Sequence, residues 1–133
     1  MTIIQLLLWY HNFMLSKRIL IAEDEKPMAN ALGLKLTSVG FEISLVYDGE
    51  AAVEAAKKSP FDLIILDLVM PVKDGFYVLE ELKRLKIATK VIVSSNLSQE
   101  EDIKRAKELG ASDYFIKSDT TLAEIVEKVK GII

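Results

Sequence analysis

Beyond residue 16 the chain alternates between two textures. Short, nearly unbroken apolar runs fall at 19–22, 43–46, 63–66, 91–93 and 114–116. Between them apolar residues recur at helical spacing. Leu32, Leu36 and Val39 share one helical face, as do Phe76, Leu79, Leu82 and Leu85, and later Leu122, Ile125, Val126 and Val129. Runs of this length predict strands, and the intervening pattern predicts amphipathic helices. Strand and helix in strict alternation predict a parallel sheet covered on both faces. The first, third and fourth runs are continuously apolar, as strands buried on both sides must be. Ser44 interrupts the second, and Asp113 and Lys117 flank the short fifth, so these two are expected at the edges. The fold class that follows is α/β: a flavodoxin-like (βα)5 doubly wound parallel sheet with strand order 2-1-3-4-5.

Turn chemistry agrees. Gly40 and Gly110 stand just past helical stretches, where a left-handed cap is wanted. Ser98 with Glu101, and Thr121 with Glu124, read as capping boxes opening the last two helices. The segment before residue 17 is different. Residues 3–10 are almost wholly apolar but too few to span a bilayer as a helix. They also lack the basic start and small-residue cleavage site of a secretory signal. Residues 1–16 are therefore set apart as an atypical apolar N-terminal extension, with one domain over 17–133. The extension reads either as an appended leader before Met14 or as a short helix docked on the domain or a partner. His11, the single histidine, lies within it and is assigned no chemistry.

Composition narrows the classes. A chain of 133 residues suffices for one core and leaves nothing for a second domain. A net charge of -3 gives no general attraction to nucleic acid. The absence of Cys excludes disulfides and thiolate metal sites, and suits a reducing, cytoplasmic setting.

In an open α/β sheet, ligands bind beyond the carboxyl ends of the strands at the switch point between strands 1 and 3. At that end stand Glu23, Asp24 and Glu25 after strand 1, and Asp67 after strand 3. Ser94, Ser95 and Asn96 follow strand 4, and Lys117 follows strand 5. Two carboxylates about 4 Å apart repel by roughly 4 kcal/mol at an effective dielectric near 20. Lys117 and a divalent cation would offset this, and an all-oxygen donor set favours Mg²⁺ over Zn²⁺. A carboxylate beside such a cation and a Lys can act as nucleophile toward a phosphoryl group.

The stretches "ILIAEDE", "LIILDLVMPVKDG", "VIVSS" and "GASDYFIK", in this order, resemble the response-regulator receiver domain of bacterial two-component signalling, of the chemotaxis-response-regulator kind, over about residues 17–131. The resemblance implies a signalling switch rather than an enzyme. Asp67 would be the phosphoacceptor. Asp24, Asp67 and the Val69 backbone carbonyl would hold Mg²⁺, with Glu23 acting through a metal-bound water. Ser95 and Lys117 would bind the phosphoryl group, and Tyr114 would be the aromatic that changes rotamer on activation. Met70-Pro71 and Gly75 would shape the loop after the acceptor. The output face would combine the domain's fourth helix, fifth strand and fifth helix, where Lys104, Arg105 and Lys107 form either a mildly basic patch or an ordinary solvated face. Implied partners are a sensor histidine kinase or phosphotransfer protein as donor, a downstream protein partner, and a homodimer formed on phosphorylation. Direct contact with nucleic acid or membrane is not implied.

The chain departs from that pattern in three respects. Ser118 follows Lys117 where the family has a cis-Pro, which predicts a trans bond and an altered loop. Asn96 occupies a position for a very small residue, where it would narrow access or add an amide donor. Val69 and Leu97 flank the site and cannot hold a water by side-chain hydrogen bonds, which predicts slow self-dephosphorylation. The alternatives are a phosphorylation-independent pseudo-receiver adaptor, a haloacid dehalogenase-type phosphohydrolase and a flavodoxin. Val69 stands where the phosphohydrolase needs a second Asp, and the Glu-Asp-Glu loop repels the phosphate a flavodoxin must cradle.

Overall fold

The computed structural model describes the backbone of residues 1–133 and the side chains outside 11–15. His11 lies in that stretch, so its side chain is outside the described residues. The elements are α1 (Ile3–Leu15), β1 (Arg18–Ala22), α2 (Lys26–Ser38), β2 (Glu42–Val46), α3 (Gly49–Lys58), β3 (Leu63–Leu66), α4 (Gly75–Arg84), β4 (Lys90–Ser95), α5 (Glu100–Glu108), β5 (Asp113–Ile116) and α6 (Leu122–Ile132). The strands form one sheet in the order β2-β1-β3-β4-β5, and every pairing is parallel.

Alternation along the strands divides the core into two layers. Leu20, Ile64, Leu66, Val91 and Val93 pack with Val53, Leu79 and Ala106 on the face covered by α3, α4 and α5. Ile19, Ile21, Ile65 and Ile92 pack with Leu32, Leu36, Ile125 and Val129 on the face covered by α2 and α6. The central strands are sealed: Ile19, Leu20, Ile64 and Ile92 have no exposed surface. Truncating any of these to Ala would cost about 2–5 kcal/mol. Strand β2 is only half-buried, as an edge strand is.

Gly40 and Gly110 take φ of 105° and 108°, the left-handed cap their positions called for. Thr121 caps α6 as expected, its side chain accepting the Glu124 N–H. Ser98 does not cap α5. The helix opens one residue later, with Gln99 as N-cap and no side-chain cap bond. There the Gln99 carbonyl accepts from Asp102 and Ile103 N–H, and Glu100, Glu101 and Asp102 place negative charge at the positive end of the helix dipole.

Helix α1 forms, but its described apolar side chains do not sink into the domain. Ile3, Leu6, Leu7, Leu8 and Trp9 each keep half or more of their surface exposed. Among the described residues no helix is long and apolar enough to cross a membrane.

The loop from β3 to α4 is shaped by backbone. Lys73 N–H donates to the Pro71 carbonyl at 2.8 Å across Val72, whose φ is 66°. This is a γ-turn in its strained hand, occupied by a β-branched residue. Gly75 N–H then donates to the Leu68 carbonyl at 3.0 Å, which folds the loop back under β3. A Cβ at Gly75 would collide with the Asp67 carbonyl and the Leu68 backbone, so only glycine permits this return.

Candidate functional site

Strands β1 and β3 are each followed directly by an acid, Glu23 and Asp67. Asp67 N–H donates to the Ala22 carbonyl at 2.9 Å, and Glu23 N–H to the Val46 carbonyl at 3.0 Å. The sheet ladder therefore fixes the backbone of each acid. Because the ladder runs on, neither side chain escapes to solvent: Glu23 is 4% and Asp67 5% exposed. Asp24 is exposed beside them.

Lys117 compensates from across the sheet. Its side chain is 8% exposed, its Nζ lies 3.0 Å from Asp67 Oδ2, and it contacts Glu23 Oε1 directly. The remaining lone pairs are partly met by backbone. Val69 N–H donates to Asp67 Oδ1 at 3.2 Å, and Glu25 N–H to Glu23 Oε2 at 3.3 Å. Burial, opposed by Lys117 and reinforced by the charge of Asp67, pushes the Glu23 carboxyl up to about 7. Burial pulls the Lys117 ammonium down, but its contacts with Glu23 and Asp67 outweigh that, and the net direction is up. Glu23, Asp24 and Asp67 each offer one carboxylate oxygen, and these oxygens lie within 4.8 Å of one another. Such a hard, nitrogen-free and sulfur-free donor set suits a small divalent cation.

Ser95 ends β4 fully buried, with its Oγ accepting the Leu97 N–H at 3.3 Å. Tyr114 on β5 is half-buried, and its hydroxyl donates to the Leu97 carbonyl at 2.6 Å. Burial and the charge of Asp102 raise the Tyr114 phenol, against a lowering contact with Ser95. Ser95, Leu97 and Tyr114 are thus one packed group. Ser94 points to the other face. It lines a cavity of about 70 Å³ beneath the acids, together with Ile21, Glu23, Asp67 and Lys117. Alternation therefore sets the two serines on opposite sides of the same site, rather than removing one from it.

The bond after Lys117 is trans, as Ser118 predicts, and residues 117–119 form a 3-10 turn from which Lys117 reaches both acids. The basic patch on α5 is largely neutralised. Arg105 turns toward α4, 3.2 Å from Glu80 and 4.1 Å over the Phe76 ring, while Lys104 pairs with Glu108.

Comparison with known proteins converges on one family. The family model described as response regulator receiver domain matches residues 19–130. The transcriptional regulatory protein DltR of Streptococcus agalactiae is 33% identical over 111 residues, covering 81% of this chain and 50% of that protein. The chain thus spans about half the length of that curated relative. Among solved structures, the Francisella response regulator 1452 receiver domain aligns with a TM-score of 0.83 at 27% identity, covering 88% of this chain and 96% of the other. The response regulator TrrA of Thermotoga maritima, solved in complex with Mg²⁺ and beryllofluoride, aligns with a TM-score of 0.77 at 32% identity, covering 88% and 99%.

Proposed function

The chain belongs to the response regulator receiver domain family of two-component signalling, and from that premise we propose that it is a switch that accepts a phosphoryl group on Asp67 from a sensor histidine kinase or a phosphotransfer protein. The receiver unit is residues 17–133, with 1–16 an extension. One observation carries the reading: Asp67 is buried at a strand end between a lysine ammonium at 3.0 Å and two further carboxylates. A buried acid with that company is a candidate functional group rather than a mere turn residue.

Asp67, Asp24 and the Val69 carbonyl would hold Mg²⁺ directly, and Glu23 through a water. When bound, the ion neutralises charge on the entering phosphoryl oxygens. The residues do the rest. A carboxylate oxygen of Asp67 attacks phosphorus, forming the P–O bond as the donor's P–N bond breaks and the donor imidazole departs with the electron pair. Lys117 already faces Asp67 Oδ2 and passes to a phosphoryl oxygen. The buried Ser95 hydroxyl supplies a second contact, giving up its Leu97 bond. Hydrogen bonds to charged groups are worth roughly 1.5–3 kcal/mol each. Two of them approach the roughly 5.5 kcal/mol that inverts a 1:99 equilibrium. Tyr114 is coupled to Ser95 through Leu97, so movement of Ser95 reaches the face formed by α5, β5 and α6. A downstream protein partner, or a second copy of the phosphorylated chain, docks there.

The test is labelling by acetyl phosphate with and without Mg²⁺. Wild type should incorporate one phosphoryl group only with the metal, and Asp67→Asn none. Equal labelling of the two proteins would move the acceptor elsewhere. No labelling of wild type would favour a phosphorylation-independent adaptor.

A further inference from the structure

The β4–β5 ladder ends at the pair Ser95 and Ile116. One step beyond it the strands are joined again, this time by a side chain: Ser118 N–H donates to Asn96 Oδ1 at 3.0 Å. The bond links the loop that follows Ser95 to the loop that begins with Lys117. Apart from the Lys117 side chain's own contacts with Asp67 and Glu23, the other bonds at this turn are internal to it, Thr120 Oγ1 to the Ile116 carbonyl at 2.9 Å and Thr120 N–H to the Lys117 carbonyl at 3.4 Å. They shape the turn without setting its height above the sheet, whereas the Asn96 bond does set it. Asn96 and Ser118 are both exposed, so their bond adds little to the core. Its consequence is placement, because Lys117 directly precedes Ser118 and must bring its ammonium across the end of β4 to Asp67 and Glu23.

We propose that Asn96 is a positioning residue: by accepting the Ser118 N–H it clamps the β5–α6 turn to the end of β4, and so holds Lys117 over the acids. Asn96 and Ser118, two of the residues that set this chain apart around the site, are then the two halves of one clamp. A residue without a backbone N–H at 118 would leave Asn96 nothing to hold, and a short side chain at 96 would leave Ser118 unanswered. The proposal rests on Asp67 being the phosphoacceptor.

The experiment compares wild type, Asn96→Ala, Asn96→Asp, Lys117→Ala and the Asn96→Ala/Lys117→Ala double variant. Three readouts are used: acetyl phosphate labelling rate, hydrogen exchange at the Ser118 amide, and Mg²⁺ affinity followed by amide resonances at Asp24. Asn96→Ala should speed exchange at Ser118 and slow labelling about five-fold, the equivalent of about 1 kcal/mol. Its Mg²⁺ affinity and unfolding midpoint should stay at wild-type values. Asn96→Asp keeps the acceptor oxygen and should restore exchange protection. In the Lys117→Ala background the loss of Asn96 should add nothing further, since its effect passes through that lysine. Unchanged Ser118 exchange, an unchanged labelling rate, or an equal additional loss without Lys117 overturns the clamp. Failure of wild type to label at all overturns the phosphoacceptor reading instead, so the two failures are distinct.

Discussion

Replacing Lys117 with Met tests the electrostatics most directly. Methionine keeps the length and apolar stem and removes the charge. The variant retains two carboxylates, Glu23 and Asp67, with side chains 6% and 5% exposed. Their facing oxygens lie within 4.8 Å. At an effective dielectric of about 20, two unit charges at that distance repel by about 3.5 kcal/mol. Glu23 has one escape, which is to take up a proton. Its ordinary value is 4.5, and each pH unit above that adds about 1.4 kcal/mol to the cost of protonation. That amounts to about 5 kcal/mol at pH 8 but under about 1 at pH 5. The cheaper route therefore changes with pH. Burial already holds the wild-type carboxyl at about 7, which accounts for about 3.4 kcal/mol of the protonation cost at pH 8. Without metal, Lys117→Met should therefore destabilise the domain by about 1 to 1.5 kcal/mol more at pH 8 than at pH 5. Urea unfolding followed by circular dichroism in EDTA measures both, and Mg²⁺ should narrow the gap at pH 8. A loss independent of pH would refute the reasoning, since it would mean that packing and not charge sets the cost.

Glu23 titrates from the other side. Its carboxyl is raised by burial to about 7, so its contribution to wild-type stability is full below 4.5 and is lost as pH rises through about 7. Since cation binding needs the carboxylate, Mg²⁺ affinity should fall by up to about ten-fold per unit below pH 7, and Glu23→Gln should flatten that slope when followed by calorimetry. Val72 spends its φ of 66° with 67% of its side chain exposed; Val72→Asn should raise stability by about 1 kcal/mol in urea unfolding. Val69 at the rim of the site is 57% exposed and carries no polar side-chain atom. Phosphorylated protein should therefore lose phosphate slowly, and Val69→Asn, which can orient a water, should shorten the half-life several-fold in a phosphate-release assay.

The sheet was legible because its strands obey a local rule. Residues such as Ile19, Ile64 and Ile92 are sealed on both faces, and an uninterrupted apolar run is the signature of that. The convergence of Glu23, Asp24, Asp67 and Lys117 followed from topology once the strand order was known. Details that depend on rivals within a few residues were less legible. At α5 the helix opens at Gln99 instead of Ser98, a one-residue shift in the boundary that no composition rule fixes. Arg105 had the spacing of a solvent-facing cation, but an aromatic ring and an acid on α4 draw it sideways. That Lys117 would touch Glu23 as well as Asp67, or that Asn96 would find Ser118, has no local signal, because both contacts join strand ends that only the completed sheet makes neighbours.

The cation that reconciles the acids enters from the fifth strand, whereas the acids belong to the first and third. During synthesis, then, the acidic residues emerge well before their counter-charge. Until the fifth strand docks, the half-made sheet holds mutual repulsion at its most buried end, and this discourages closure around an incomplete chain. The acidic end of the sheet is thus balanced only when the last strand is in place.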